Sequence, residues 1–222
     1  MPSSRSVDFG DLGTLEPVSR HWGFDRGRPV DRYYIEAFLE RHAEDVRGRV
    51  LEVGDDSYTR RFGKDRVRRR DVLHVSADAP GATIGADLAD APHVPSDSFD
   101  CIILTQTLHL VYDVPAAMRT LARILRPGGV LLLTVPGITP TTDDDWRSSW
   151  YWSFTAASLR LTAASVFPSG SFTVESHGNV LAAMAFVQGM AYQELEPSEL
   201  ARNDPTFPVT LALRAQKPAT GP

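Results

Sequence analysis

Between residues 99 and 135 the chain runs through an apolar stretch, an amphipathic stretch and a second apolar stretch, an order that few folds accommodate. FDCIILTQT and GVLLLTV carry apolar residues at consecutive positions, which a strand tolerates when both of its faces are covered. Between them, DVPAAMRTLARIL puts Val114, Met118, Leu121 and Leu125 on one helical face. Asp113 is its expected N-cap, and Pro115 falls in its first turn. Pro127 stops the helix, and Gly128 and Gly129 turn the chain into the next strand. Strand, helix and buried strand in this order form a crossover between parallel neighbours, so the class is α/β with a mostly parallel sheet.

The remaining segments continue the alternation. DRYYIEAFLERHAEDV places Tyr34, Ile35, Phe38, Leu39 and His42 on one helix face, with Asp31 as N-cap and Gly48 closing the helix. RVLEVGDD reads as a buried strand. In SYTRRFGKDRVRRRDVLHV we expect a short helix from about Tyr58 and then a strand ending near Asp71. ATIGADL, a third strand, follows so soon that the connection has lost its helix if the two are parallel neighbours. TAASLRLTAASVF is expected to be a helix, SFTVES a strand and NVLAAMAFVQGMAY a helix, and FPVTLALRA alternates like an edge strand.

A length of 222 residues fits one core, read as an arm over 1–30, a domain over 31–216 and a tail over 217–222. The net charge of −5 argues against a nucleic-acid partner, which would call for a basic face. A single cysteine, Cys101, excludes an internal disulfide framework and fits a reducing compartment. The opening MPSSRSVDFG lacks the apolar core of a signal peptide, and no apolar run approaches a membrane span, so a cytoplasmic protein is expected.

Sheets of this kind bind ligands beyond the carboxyl ends of their strands. Those ends carry Glu52-Val53-Gly54-Asp55, Asp71, Asp87-Leu88 and Thr105-Gln106-Thr107. A carboxylate after the second strand suits the two hydroxyls of a ribose. Each feature alone is weak, because Asp at a strand end is also a routine turn or capping residue. VLEVG, Asp71, GADL, SDSFDCIILTQTLH and LRPGGVLLLTVPG, in this order over residues 49–136, resemble the successive motifs of class I S-adenosylmethionine-dependent methyltransferases. The resemblance implies a Rossmann-like, doubly wound, mostly parallel seven-stranded sheet with an antiparallel last strand. It implies S-adenosylmethionine as cofactor, with Glu52, Gly54 and Asp55 at its methionine end, Asp71 at the ribose, Asp87 and Leu88 at the adenine, and Thr105 and Gln106 near the sulfonium. GFDRGRPVDRYYIEAFL and DPTFPVTLALRAQKP look like a bacterial branch of the family found beside sugar-transfer and natural-product genes.

The chain departs from the family's E-x-G-x-G-x-G loop, because Asp56 and Tyr58 stand where two glycines let the backbone approach the ligand. Either the loop is rerouted, with Asp55 or Asp56 meeting the cofactor's ammonium group, or the pocket has degenerated. Seven basic residues between Arg60 and Arg70 read as a solvated face, with guidance of an anionic substrate as the alternative. Asp143, Asp144 and Asp145 read as a solvated turn. Trp146, Trp150, Tyr151 and Trp152 follow the strand ending in TVPG and are candidate acceptor-stacking residues, with core packing as the alternative.

His109, in the loop after FDCIILTQT, is the candidate general base, and His177 is the reserve. His74 could touch the ribose side, although packing is its more economical reading. No metal-ligand spacing is present, and Cys101 reads as packing rather than as a nucleophile. The expected activity is O-methylation of a small glycosyl or phenolic acceptor, and the alternative is a non-methylating protein on the same fold, such as a cyclase or a cofactor-binding partner. The segment from about Arg20 to Tyr34 is expected to close over the cofactor as a lid. A nicotinamide dehydrogenase is disfavoured, since Asp56 and Thr59 replace two glycines of its G-x-G-x-x-G.

Overall fold

The computed structural model describes residue 10, residues 13–141 and residues 145–219. A seven-stranded sheet has the order β3-β2-β1-β4-β5-β7-β6. The strands are β1 (Gly48–Val53), β2 (Val67–His74), β3 (Ile84–Gly85), β4 (Phe99–Thr105), β5 (Leu125–Pro136), β6 (Phe172–His177) and β7 (Thr210–Gln216). β1 to β5 pair in parallel, and β7 is antiparallel to both β5 and β6. This is the mostly parallel seven-stranded sheet, with an antiparallel last strand, that the sequence led us to expect. The helices are α1 (Val30–Arg41), α2 (Val114–Ile124), α3 (Ala156–Ala164), α4 (Val180–Val187) and α5 (Pro197–Ala201).

The consecutive apolar residues of β4 divide between two cores. Ile102 and Leu104 join Met118 and Leu121 of α2 and Leu159 of α3 on one face. Cys101 and Ile103 join Ile35, Phe38 and Leu39 of α1 on the other. Burial pushes the Cys101 thiol far up, as suits a packing residue. Asp113 caps α2 by accepting from the Ala116 N–H at 2.9 Å.

Four local expectations are corrected. α1 has Pro29 as N-cap and starts at Val30, so Asp31 lies inside the first turn and is buried. Gly48 does not close α1. A short 3₁₀ turn over Ala43–Asp45 intervenes, and Gly48 opens β1 with φ +69°. β2 runs on to His74, which leaves Asp71 in mid-strand opposite Leu51. β7 is no edge, because β6 pairs along its outer side, and its residues are buried on both faces, with Leu211 and Leu213 in one core and Ala212 in the other. The link from β2 to β3 carries no helix, as its length demanded. Asp143 and Asp144 lie outside the described residues.

Candidate functional site

One cleft of about 1100 Å³ opens over the carboxyl ends of β1, β2, β3 and β4. That exceeds the usual range of about 300–1,000 Å³ for a site holding one ligand, so it offers room for two reactants. One part of its wall comes from strand ends and the other from the arm before α1 and the loops after β4 and β5.

At the end of β1, Glu52 is almost fully buried. Its two carboxylate oxygens accept from the Tyr58 N–H at 3.1 Å and the Thr59 N–H at 2.7 Å, so it fastens the loop that follows. Desolvation raises its pKa to about 7, against the lowering effect of those hydrogen bonds. Gly54 takes φ +99°, and nothing lies within 4 Å of where its Cβ would be, so its backbone faces open cleft. Asp55 lines the cleft and accepts from the Ser57 N–H at 2.7 Å. Asp56 does not line it, because its carboxylate holds Arg60 at 2.7 Å and Arg70 at 3.4 Å. Tyr58 does line it, leaning on Phe62. Of the two departures from glycine, one side chain is turned to the surface and the other forms part of the wall.

Asp71 is not at the site. Its buried carboxylate is held by Arg49 at 2.7 Å and Arg69 at 3.0 Å, three residues short of the strand end. His74 and Val75 line the cleft there instead. His74 Nδ1 accepts from the Ser76 N–H at 3.0 Å. After β3, Asp87 and Leu88 line the cleft, and Asp87 accepts from the Ala89 N–H at 2.8 Å. After β4, so do Thr105 and Gln106, the latter at φ +46°. Gln106 Nε2 donates to Asp31 at 3.3 Å. Asp31 lines the cleft with its other oxygen, Oδ1, buried and without a partner, and desolvation raises its pKa.

His109 sits in the 3₁₀ turn Leu108–Leu110, 2% exposed, with its ring 4.4 Å from that of Trp150. Desolvation lowers its pKa to about 4, so the imidazole is neutral throughout the physiological range. Its Nδ1 is buried without a partner. His177 is corrected. It ends β6 outside the cleft lining, stacked on Tyr34 and with Nε2 3.1 Å from Glu175. Trp146, Trp150 and Tyr151 line the cleft. Trp152 does not, because its indole Nε1 donates to the Val111 and Tyr112 carbonyls at 3.0 and 3.2 Å and so ties the two loops together.

Trp22, Phe24 and Asp31, which line the cleft, fall in the segment expected to act as a lid, and Tyr58 stands at a position where the family has glycine, whereas nothing in the sequence pointed to Tyr112, which lines it too. Of the basic run, Arg60, Arg61, Arg66, Arg69 and Arg70 are in ion pairs with carboxylates. Among the described residues no helix is long and apolar enough to cross a membrane.

A family model described as a methyltransferase domain matches residues 25–175. The methyltransferase GfsG of Streptomyces halstedii is 41% identical over 63 residues, 28% of this chain and 23% of that protein. Each of the curated relatives is matched over less than a third of its own length. Among solved structures, a [4+2]-cyclase, SpnF, superposes with TM-score 0.55 at 18% identity, covering 85% of this chain and 81% of its own. An S-adenosylmethionine-dependent methyltransferase from Mesorhizobium loti superposes with TM-score 0.53 at 21% identity, covering 88% and 100%. The sheet order, the cleft above its carboxyl edge and a family match over most of the chain agree, and the chain belongs to the class I S-adenosylmethionine-dependent methyltransferases.

Proposed function

We propose that the chain moves a methyl group from S-adenosylmethionine to a hydroxyl of a small glycosyl or phenolic acceptor. The observation that carries this reading is a single cleft with a carboxylate-bearing end and an aromatic end, and with His109 in its wall. The donor set fits the cofactor. The open backbone at Gly54 and the carboxylate of Asp55 suit an amino-acid group, and Asp87 with the apolar Leu88 suits an adenine. His74 takes the place beside the ribose that Asp71 was expected to fill. When bound, the cofactor supplies a methyl group already activated for in-line displacement, so alignment and exclusion of water can account for much of the acceleration.

His109 accepts the hydroxyl proton at a ring nitrogen. As the attacking oxygen bonds to carbon it gains positive charge and its proton becomes strongly acidic, so an imidazole with a pKa of about 4 is still an adequate base. The His109 carbonyl accepts from the Tyr151 and Trp152 N–H groups at 3.1 and 3.2 Å, which couples the base to the aromatic wall. Trp22 stacks on Trp150 with centroids 6.4 Å apart, so the arm forms part of the cleft wall and acts as a lid. Slower amide hydrogen exchange over residues 20–30 on addition of cofactor is the expected result. Unchanged exchange there would remove the lid from the account.

A second reading, a cyclase or binding protein on this fold, draws on the likeness to SpnF and on Asp56 and Tyr58 at the glycine positions. Mass analysis after incubation with S-adenosylmethionine and a panel of glycosylated and phenolic acceptors separates the two. A product heavier by one methyl is expected. Calorimetric binding of the cofactor with products of unchanged mass would move the assignment to the second reading.

A further inference from the structure

We propose that the acceptor is an uncharged compound of at least two rings, with a carbonyl or ether oxygen close to the hydroxyl that is methylated. The inference rests on the methyl-transfer reading for that hydroxyl, but the binding argument comes from the cleft alone. Glu52, Asp55 and Asp87 all belong to the strand-end part of the wall. The arm and the loops after β4 and β5 contribute most of the aromatic residues, together with Asp31, Arg32 and Asp113. Phe24, Tyr112, Trp146 and Tyr151 line the mouth while remaining 57%, 71%, 49% and 47% exposed. Rings left in water around a cleft mouth are ready to cover the face of a ligand that projects from it. Deeper in, Trp22 and Trp150 are stacked on each other and also line the cleft. A cleft of about 1100 Å³ with two sets of rings in its wall offers more stacking surface than a single-ring acceptor can cover, and two linked rings make fuller use of it.

The charge follows from which groups face this space. Among the described residues Arg32 is the one arginine or lysine in the lining, and it is committed, 3.5 Å from Asp31 and 5.7 Å over the Phe24 ring. Asp113, at the same end, is a carboxylate that repels anions. The basic run at 60–70 is largely occupied by ion pairs, so it does not guide an anion either. A phosphate or carboxylate on the acceptor would enter without a counter-charge. The extra oxygen follows from Trp150, whose indole Nε1 is buried and has no acceptor, beside the His109 ring. An indole N–H only donates, so the ligand must bring a lone pair. The imidazole of His109, whose Nδ1 is likewise unpartnered, lies 4.4 Å away, centroid to centroid, so a hydroxyl next to that oxygen falls on the side of the base.

The test is calorimetric titration of the protein with 5-hydroxyflavone, whose hydroxyl stands next to a ring carbonyl, with phenol and with uridine diphosphate glucose, each with and without S-adenosylhomocysteine. 5-Hydroxyflavone is expected to bind at least about 10-fold more tightly than phenol. Trp150→Phe keeps a ring but removes the donor, and should weaken 5-hydroxyflavone by about 5-fold while leaving phenol unchanged. Tyr112→Ala should weaken 5-hydroxyflavone alone, by about 3-fold or more. Uridine diphosphate glucose binding as tightly as 5-hydroxyflavone, or Trp150→Phe affecting both phenols equally or neither, overturns the proposal. Absence of S-adenosylhomocysteine binding would instead remove the methyl-transfer reading, and the titrations without it would still decide the acceptor class.

Discussion

Replacing His109 with alanine is expected to lower turnover by about 10²-fold or more and to leave cofactor affinity nearly unchanged. The imidazole lies in the cleft wall with Nδ1 unpartnered, and no carboxylate holds it in a charged state. Because burial depresses its pKa from the usual 6.5 to about 4, protonation should not inhibit the enzyme until the pH falls below about 5. The acid limb of kcat/KM that belongs to His109 should therefore lie near 4. Steady-state kinetics across pH, with calorimetry of each variant, measures both effects. A variant that keeps most of its turnover, or a folded variant that loses only cofactor affinity, takes His109 out of the mechanism. Asp31 would then be the next group to test, since His177 lies outside the cleft.

Glu52→Gln is expected to change how stability depends on pH by an amount on the order of 3 kcal/mol. The folded pKa of about 7 stands above the ordinary 4.5, with desolvation as the chief cause. A carboxyl whose pKa is raised by folding contributes stability below its unfolded pKa and loses it as pH climbs to the folded value. The difference of about 2.5 pH units, at about 1.4 kcal/mol per unit, sets the scale. Between pH 4.5 and 7 the parent should lose stability relative to Glu52→Gln, which has no proton to release. Urea unfolding of both proteins across that interval is the measurement. Parallel curves would mean that Glu52 titrates in the fold as it does in the unfolded chain.

The sheet was readable where periodicity and punctuation agreed. β4 begins and ends where FDCIILT does, and α2 has the cap that Asp113 announced. Errors came where a residue type has two uses. Asp71 looked like the acid closing β2, but a buried mid-strand carboxylate is equally permissible when two guanidiniums neutralise it, and Arg49 comes from another strand. Asp31 looked like a cap because the helix start was judged two residues out, which hid its place in the cleft. FPVTLALRA alternates weakly, and its position inside the sheet depends on β6, a pairing partner two helices away in sequence. For the cleft, strand-end residues could be read because topology sends them to one edge. The separation of Trp150 from Trp152 could not, since neighbouring aromatics in irregular backbone take their directions from hydrogen bonds made elsewhere.

The insertion of β7 between β5 and β6 also bears on how the chain is made. While synthesis proceeds from the amino terminus, β5 emerges with its apolar edge open, and β6 follows with nothing to pair with until β7 has left the ribosome. The parallel half, β1 to β5, can condense around α1 and α2 early. The antiparallel half must wait as an unfinished surface. A nascent chain stalled before Thr210 would thus expose the backbone of Val130–Pro136 as a template for strands of other chains, and this interval is where a chaperone would be needed most.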